Sequence, residues 1–297
     1  MLVTWLVADY VKLIDWSGVR RALSAYSAPT LGAAAALAAL SHLTYASYDL
    51  LGRAYAEHKL SARRVLAVAF ISYAFNLNLG SLVGGFGFRL RLYHQLGLRA
   101  AQIGKVIALS LVTNWSGWLL LAGVVFATRQ VPLPESFALG IAGLQGLGIA
   151  MVACALFYIA LCFGSRRRRW HWRGYTFRLP SGRMALAQVA LSSFNWLLIG
   201  TIVWLLMPRE LGYGAVVATQ LSAAMLAVPT HVPGGLGVIE AIFVAAFGSA
   251  TVQSGLIAAL LAYRALYYLL PLLVAAVLYG CIEAGARARR TRARSLV

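Results

Sequence analysis

The sequence predicts an all-α, polytopic membrane protein, and three observations predict it. Only 11% of the residues are charged and 61% are hydrophobic, whereas soluble globular domains carry about 25% charged residues. Apolar runs long enough to cross a bilayer, about 20 residues each, recur between about residues 30 and 282. The arginines are gathered into short stretches between those runs. A soluble core formed by 297 residues could not hide that much apolar surface, so the bilayer is the expected solvent.

Taken in order, the N-terminal MLVTWLVADYVKLIDW is apolar but short. Segment 1–29 reads as a truncated first span or an interfacial helix. Five runs reach spanning length: about 30–51, 103–127, 137–163, 184–207 and 254–282. Two further regions, about 63–101 and 213–250, are apolar but interrupted. Basic loops beside spans mark the cytoplasmic side. Loop 164–183, with Arg166, Arg167, Arg168, Arg169, Arg173 and Arg178, is therefore expected inside. So is the tail 287–297, with Arg287, Arg289, Arg290, Arg292 and Arg294. The localisation expected for the integral domain, 30–286, is a bacterial inner membrane, crossed several times, with the C-terminus cytoplasmic.

That topology makes 63–101 begin and end inside and 213–250 begin and end outside, so each enters the membrane and returns. Each is expected to be a broken or re-entrant helical hairpin, or a pair of short spans. The hinge of the first is Gly84, Gly85 and Gly87; that of the second is Pro229, Pro233, Gly234, Gly235 and Gly237. Gly84-Gly85-Phe86-Gly87 recurs as Gly234-Gly235-Leu236-Gly237 at an offset of 150 residues. The flanking runs match at the same offset but point in opposite directions. The expectation is an inverted-topology repeat, an architecture of many transporters, with repeat 1 at about 30–127, a linking helix at 137–163 and repeat 2 at about 184–282.

The net charge of +18 belongs to these loops. It is a topology signal and an attraction for anionic headgroups, at about 1 kcal/mol per residue near the surface, and no nucleic-acid partner is expected. Cys154, Cys162 and Cys281 lie in apolar runs without metal-ligand spacing. No nucleotide-binding or hydrolase motif is present. Neither an enzyme nor a cofactor or metal is expected.

Broken helices in a membrane leave backbone groups that protein or water must satisfy. Polar side chains gather at both breaks: Asn76, Asn78 and Ser81, then Arg89 and Arg91, at the first; Gln220, Thr230 and His231 at the second. Glu240 is the only acidic residue between 211 and 282, and Arg264 lies about ten residues into the last run. A charge at such depth costs about 2.5–3.5 kcal/mol on insertion scales, so a Glu240–Arg264 contact is expected. The two arginines at 89 and 91 supply planar forks suited to phosphate, or else snorkel as topology anchors. Asn114 and Asn195 are expected in helix–helix packing, Asp49 at the membrane interface, and Tyr267, Tyr268 and Pro271 along a kinked wall. The candidate headgroup-binding set is Asn76, Asn78, Arg89, Arg91, His231, Glu240, Arg264 and Tyr268.

The stretch from Ser72 to Gly80, with Gly84-Gly85-Phe86-Gly87-Phe88-Arg89-Leu90-Arg91-Leu92-Tyr93, resembles the lysylphosphatidylglycerol synthase transmembrane (flippase-like) family. Val232 to Glu240, and Arg264 with Tyr267, Tyr268 and Pro271, resemble its second hallmark. The likeness runs from about residue 16 to 282 and is nearest to the family's inner-membrane proteins of Gram-negative bacteria. It implies lipid handling. Well-known members join this membrane part to a soluble aminoacyltransferase domain, for which these 297 residues have no room, so lysyl transfer is not implied. The family also has a complete first span, which this chain is expected to lack. The expected function is a phospholipid translocator that acts on membrane phospholipids, anionic ones included. The alternatives are a small-solute secondary transporter and a non-transporting membrane partner of lipid synthesis or envelope lipid trafficking. A lipid-synthesis enzyme and a second copy of the chain are the protein partners considered.

Overall fold

A computed structural model describes residues 16–130, 140–166, 168–172, 175–230, 232–248 and 251–294. The first helix, α1 (Trp16–Ser24), meets α2 (Ala28–Tyr55) at 87°. Ser27 sets the corner: its extended backbone and its side-chain oxygen, which accepts from the Thr30 N–H, cap α2. Helix α3 (Ala62–Leu79) stops at Gly80, whose φ of 82° only glycine adopts readily. A π-helical turn, Ser81–Gly87, then reverses the chain into α4 (Phe88–Gln95). Helices α5 (Ala100–Ala127) and α6 (Gly140–Gly164) follow, and a two-stranded hairpin, β1 (Arg169–Trp172) with β2 (Tyr175–Arg178), leads into α7 (Gly182–Leu206).

The second half begins with α8 (Tyr213–Ala227) and breaks through two 3-10 turns, Val228–Thr230 and Pro233–Gly235. It resumes as α9 (Val238–Phe247), α10 (Gln253–Arg264), a π-helical turn (Ala265–Leu269) and α11 (Leu270–Arg294). Both interrupted regions are therefore helix–break–helix units. Apart from one hairpin among the described residues, the chain is an all-helical polytopic membrane protein.

Five helical stretches are long and apolar enough to cross a membrane: Ala100–Ala127, Ala142–Gly164, Gly182–Leu206, Tyr213–Thr230 and Gln253–Gly285. This corrects the sequence reading at one place. The run at 30–51 qualifies only together with α1, as a bent pair, whereas Tyr213–Thr230 qualifies by itself. The reason is that α2 is rich in small and polar residues and buries Ser41, His42, Thr44 and Asp49 against the other helices. The 1–15 segment and His231 lie outside the described residues.

Close packing depends on small residues, as expected where lipid gives helices no hydrophobic reason to associate. A Cβ on Gly117 of α5 would stand 2.3 Å from the Ser193 backbone nitrogen of α7, and one on Gly148 of α6 would stand 2.4 Å from that of Ala127. One apolar core joins α2, α7, α8, α9, α10 and the turn after it around Ile202, Leu206, Phe243 and Tyr267; another joins α3, α4, α5 and α11 around Val68, Ile71, Leu92, Val106 and Ala275. Polar groups lie where α2 meets both. The β-hairpin closes one end of the bundle, where Arg178 pairs with Glu57 at 2.6 Å and its carbonyl accepts from the Tyr55 hydroxyl. At the opposite end the Tyr26 hydroxyl donates to the Leu206 carbonyl.

Candidate functional site

The second break is built around one arginine. Gly234, Gly235 and Gly237 all have positive φ (64°, 59° and 79°), so the loop curls tightly and turns carbonyls inward. Arg264, at the last turn of α10, donates to the Gly234 carbonyl at 2.9 Å and the Gly235 carbonyl at 3.1 Å. Its guanidinium also forks onto Glu240, with the longer bond at 3.0 Å. Glu240 in turn accepts from the Gly237 N–H at 2.9 Å, which caps α9. The guanidinium stands 5.3 Å over the Tyr268 ring. The expected Glu240–Arg264 contact is thus present, and it is nearly enclosed, with side-chain exposures of 17% and 11%.

The first break meets this cluster. A Cβ on Gly234 would lie 3.0 Å from the Leu77 carbonyl oxygen, at the end of α3. Beside it, the Asn78 amide donates to the Tyr268 carbonyl at 3.2 Å. Of the residues expected to bind a headgroup, the fold brings Asn78, Glu240, Arg264 and Tyr268 together. Asn76 faces the first hinge instead: Gly84 packs on its backbone and Gly85 on its side chain, whose buried oxygen has no hydrogen-bond partner among the described residues. Pro229 lies in the exposed first 3-10 turn and Pro233 in the second.

Arg89 and Arg91 are elsewhere and part company. Arg91 is exposed and pairs with Glu283 of α11 at 2.8 Å. Arg89 is buried, bonded to both oxygens of Asp49 at 3.2 and 3.3 Å and to the Ser110 hydroxyl at 3.4 Å. The Tyr93 hydroxyl donates to the same carboxylate at 2.9 Å. Asp49, expected at the interface, is fully buried. The reversal at Ser81–Gly87 packs α4 against α3 and α5, from where Arg89 reaches Asp49 of α2, a contact across 40 residues that no local pattern displays.

The sequence reading also missed a polar network at the middle of the bundle. Ser41 of α2 donates to the Asn195 side-chain oxygen of α7 at 2.7 Å and lies 2.9 Å from the Tyr267 hydroxyl, which is 2.9 Å from that of Tyr73. His42 donates from Nδ1 to the Ala38 carbonyl, and its ring is bordered by Phe70, Tyr73 and Tyr267. Nε2 of His42, Oγ of Ser72 and Nδ2 of Asn195 are buried without a hydrogen-bond partner among the described residues. The available signal was the recurrence of tyrosines at 45, 48, 73 and 267 inside apolar runs. Asn195 does serve helix–helix packing, as expected, while at Asn114 it is the backbone carbonyl that accepts from Ser192 and Trp196.

Among the described residues no group of three or more His, Cys, Asp or Glu side chains converges as a metal site would require. The arrangement offers instead a permanent cation, a carboxylate, an amide and aromatic hydroxyls, held where two broken helices touch. The lysylphosphatidylglycerol synthase TM region profile matches residues 1–275. The inner membrane protein YbhN of Escherichia coli is 40% identical over 300 residues, covering 98% of this chain and 94% of that protein. The protein slr0712 of Synechocystis is 27% identical over 283 residues, covering 94% and 88%. With nearly its whole length matched, this polytopic chain belongs to the lysylphosphatidylglycerol synthase transmembrane-region family.

Proposed function

We propose that the protein is a phospholipid translocator of the bacterial inner membrane, without enzymatic activity or cofactor. The observation that carries this reading is the Arg264 cluster: an intramembrane cation tied to Glu240 and to two loop carbonyls, where the end of α3 meets the second break. Charges at such depth are costly, and the usual reason to keep them is a path for polar cargo. Around this cluster the tips of both breaks expose apolar side chains: Leu79, Leu82, Val83 and Phe86 on one, Leu226, Val228 and Leu236 on the other. A headgroup engages the polar cluster while its acyl chains stay against these apolar tips. Two broken hairpins entering from opposite faces, as an inverted repeat, would give the path its two-sided access, with the C-terminus cytoplasmic. Membership of a family described by lysylphosphatidylglycerol synthase, and likeness to an E. coli inner membrane protein, support the setting.

The test is movement of headgroup-labelled phospholipid in proteoliposomes, with wild type compared with Glu240→Gln and Arg264→Ala after both pass a folding check. Transport by wild type that both variants lose is the expected result. A wild-type protein that moves neither zwitterionic nor anionic lipid under any ion gradient refutes the proposal.

A further inference from the structure

The elbow between α1 and α2 leaves a cavity of about 670 Å³ at the end of the bundle opposite the β-hairpin. Its lining includes Tyr26, Ser27, Thr30, Trp204, Met207 and Arg209. Helix α1 forms one wall because Val19 anchors it on Ile257 and Ala258 of α10, which turns Ala22 toward the cavity and leaves Arg20 and Arg21 exposed. The aromatic walls are already committed: the Tyr26 hydroxyl donates to the Leu206 carbonyl, and the Trp204 indole donates to the Leu211 carbonyl at 3.2 Å. The Ser27 and Thr30 hydroxyls bond each other at 2.8 Å. Arg209 differs from all of these. It is exposed, and no hydrogen bond or ion pair joins it to another described residue.

Arg209 lines the cavity, and Arg20 and Arg21 lie on the helix that forms its wall, so the cations at this end run against the charge asymmetry of the chain. Basic residues near spans gather on the cytoplasmic side, and here that is the end with the hairpin and the tail. Cations retained at the other end call for a separate reason, and an anionic ligand supplies one. The cavity volume lies within the usual range for small-ligand sites, about 300–1,000 Å³. A tryptophan and a tyrosine at the level where spans end suit the headgroup region, and a guanidinium without a partner among the described residues suits a phosphate.

We propose that this cavity binds a phosphate group through Arg209, and that the phosphate is the headgroup of an anionic lipid in the outer leaflet. The lipid as source rests on the lipid-handling reading above; the phosphate chemistry does not. The full chain is solubilised in a maltoside detergent, which contains no phosphate, and titrated with phosphatidylglycerol carrying brominated acyl chains. Fluorescence of wild type minus that of Trp204→Phe isolates the Trp204 signal. Saturable quenching is expected, with the half-saturation point raised about tenfold in Arg209→Gln and unmoved in Arg166→Gln at the opposite end. Arg209 holds no other described residue, so circular dichroism of Arg209→Gln should match wild type. Quenching by brominated diacylglycerol at the same concentrations, or an unmoved curve in Arg209→Gln, overturns the phosphate site. Competition by free glycerol phosphate at concentrations equal to the lipid overturns the lipid as its source. A chain that binds here but moves no lipid refutes the translocator reading and leaves this site standing.

Discussion

Arg264→Ala probes the clamp at the second break. The arginine side chain is 11% exposed and Glu240 17%, so removing one partner leaves a charge stranded in a poorly hydrated place. Breaking a buried pair in this way costs about 3–5 kcal/mol. The substitution also strips the Gly234 and Gly235 carbonyls of their donor and Tyr268 of its cation. Each lost hydrogen bond is worth about 0.5–1.5 kcal/mol, but these losses share one side chain and do not simply add. The expected destabilisation is about 3–5 kcal/mol in all, a large part of a total that is typically about 5–15 kcal/mol. Glu240→Gln keeps the shape and one acceptor and should cost less, about 1–3 kcal/mol. A double variant, Glu240→Gln with Arg264→Ala, has no stranded charge and should lose less than the two single changes together. The assay is denaturant unfolding in detergent, with proteolysis at the 228–237 loop as a local probe of the clamp. An Arg264→Ala protein within about 1 kcal/mol of wild type, or a strictly additive double variant, would show that the pair does not hold the loop and would refute the reasoning.

Asp49→Ala should be as damaging, about 3–5 kcal/mol, because it strands the buried Arg89, and unfolding midpoints will check it. Arg91→Gln, at the exposed pair with Glu283, should leave the unfolding midpoint unchanged, and a marked loss would give Arg91 a role beyond that pair. At the first hinge, Gly84→Ala places a Cβ 2.2 Å from the Asn76 backbone nitrogen and should cost about 1–3 kcal/mol or more. Gly87→Ala meets nothing closer than 3.5 Å and should be neutral or stabilising; expression and thermal melts of the pair give the ranking. His58, in the connection between α2 and α3, has its pKa lowered, first by burial and then by the Arg53 charge, with Asp49 opposing. The unfolded chain then binds the proton more readily. Its contribution to stability is full above the unfolded value of about 6.5 and is lost as pH falls toward the lowered folded value. Stability measured from pH 7 downward should decline less steeply in His58→Gln.

The sequence by itself determined the solvent and the punctuation of this protein. Apolar runs, basic loops and clustered glycines are local properties, and the bilayer acts on each segment as it stands, so the helices, both breaks and the hinge glycines were legible. The Glu240–Arg264 contact was legible for a related reason: two lone opposite charges in otherwise apolar surroundings have few other partners. Only the tertiary structure decided what depends on how helices cross. Asp49 and Arg89, read as an interfacial acid and a headgroup ligand, close on each other because the turn at Ser81–Gly87 folds α4 back onto α3 and α5, within side-chain reach of α2. Ser41, Asn195, Tyr73 and Tyr267 come from four separate elements and look like ordinary small or aromatic residues in their own runs. Their hydroxyl and amide groups find one another only where α2, α3 and α7 meet the π-helical turn after Arg264 that carries Tyr267. Hydropathy is a property of a segment, whereas a hydrogen bond between segments depends on a crossing geometry that no single segment contains.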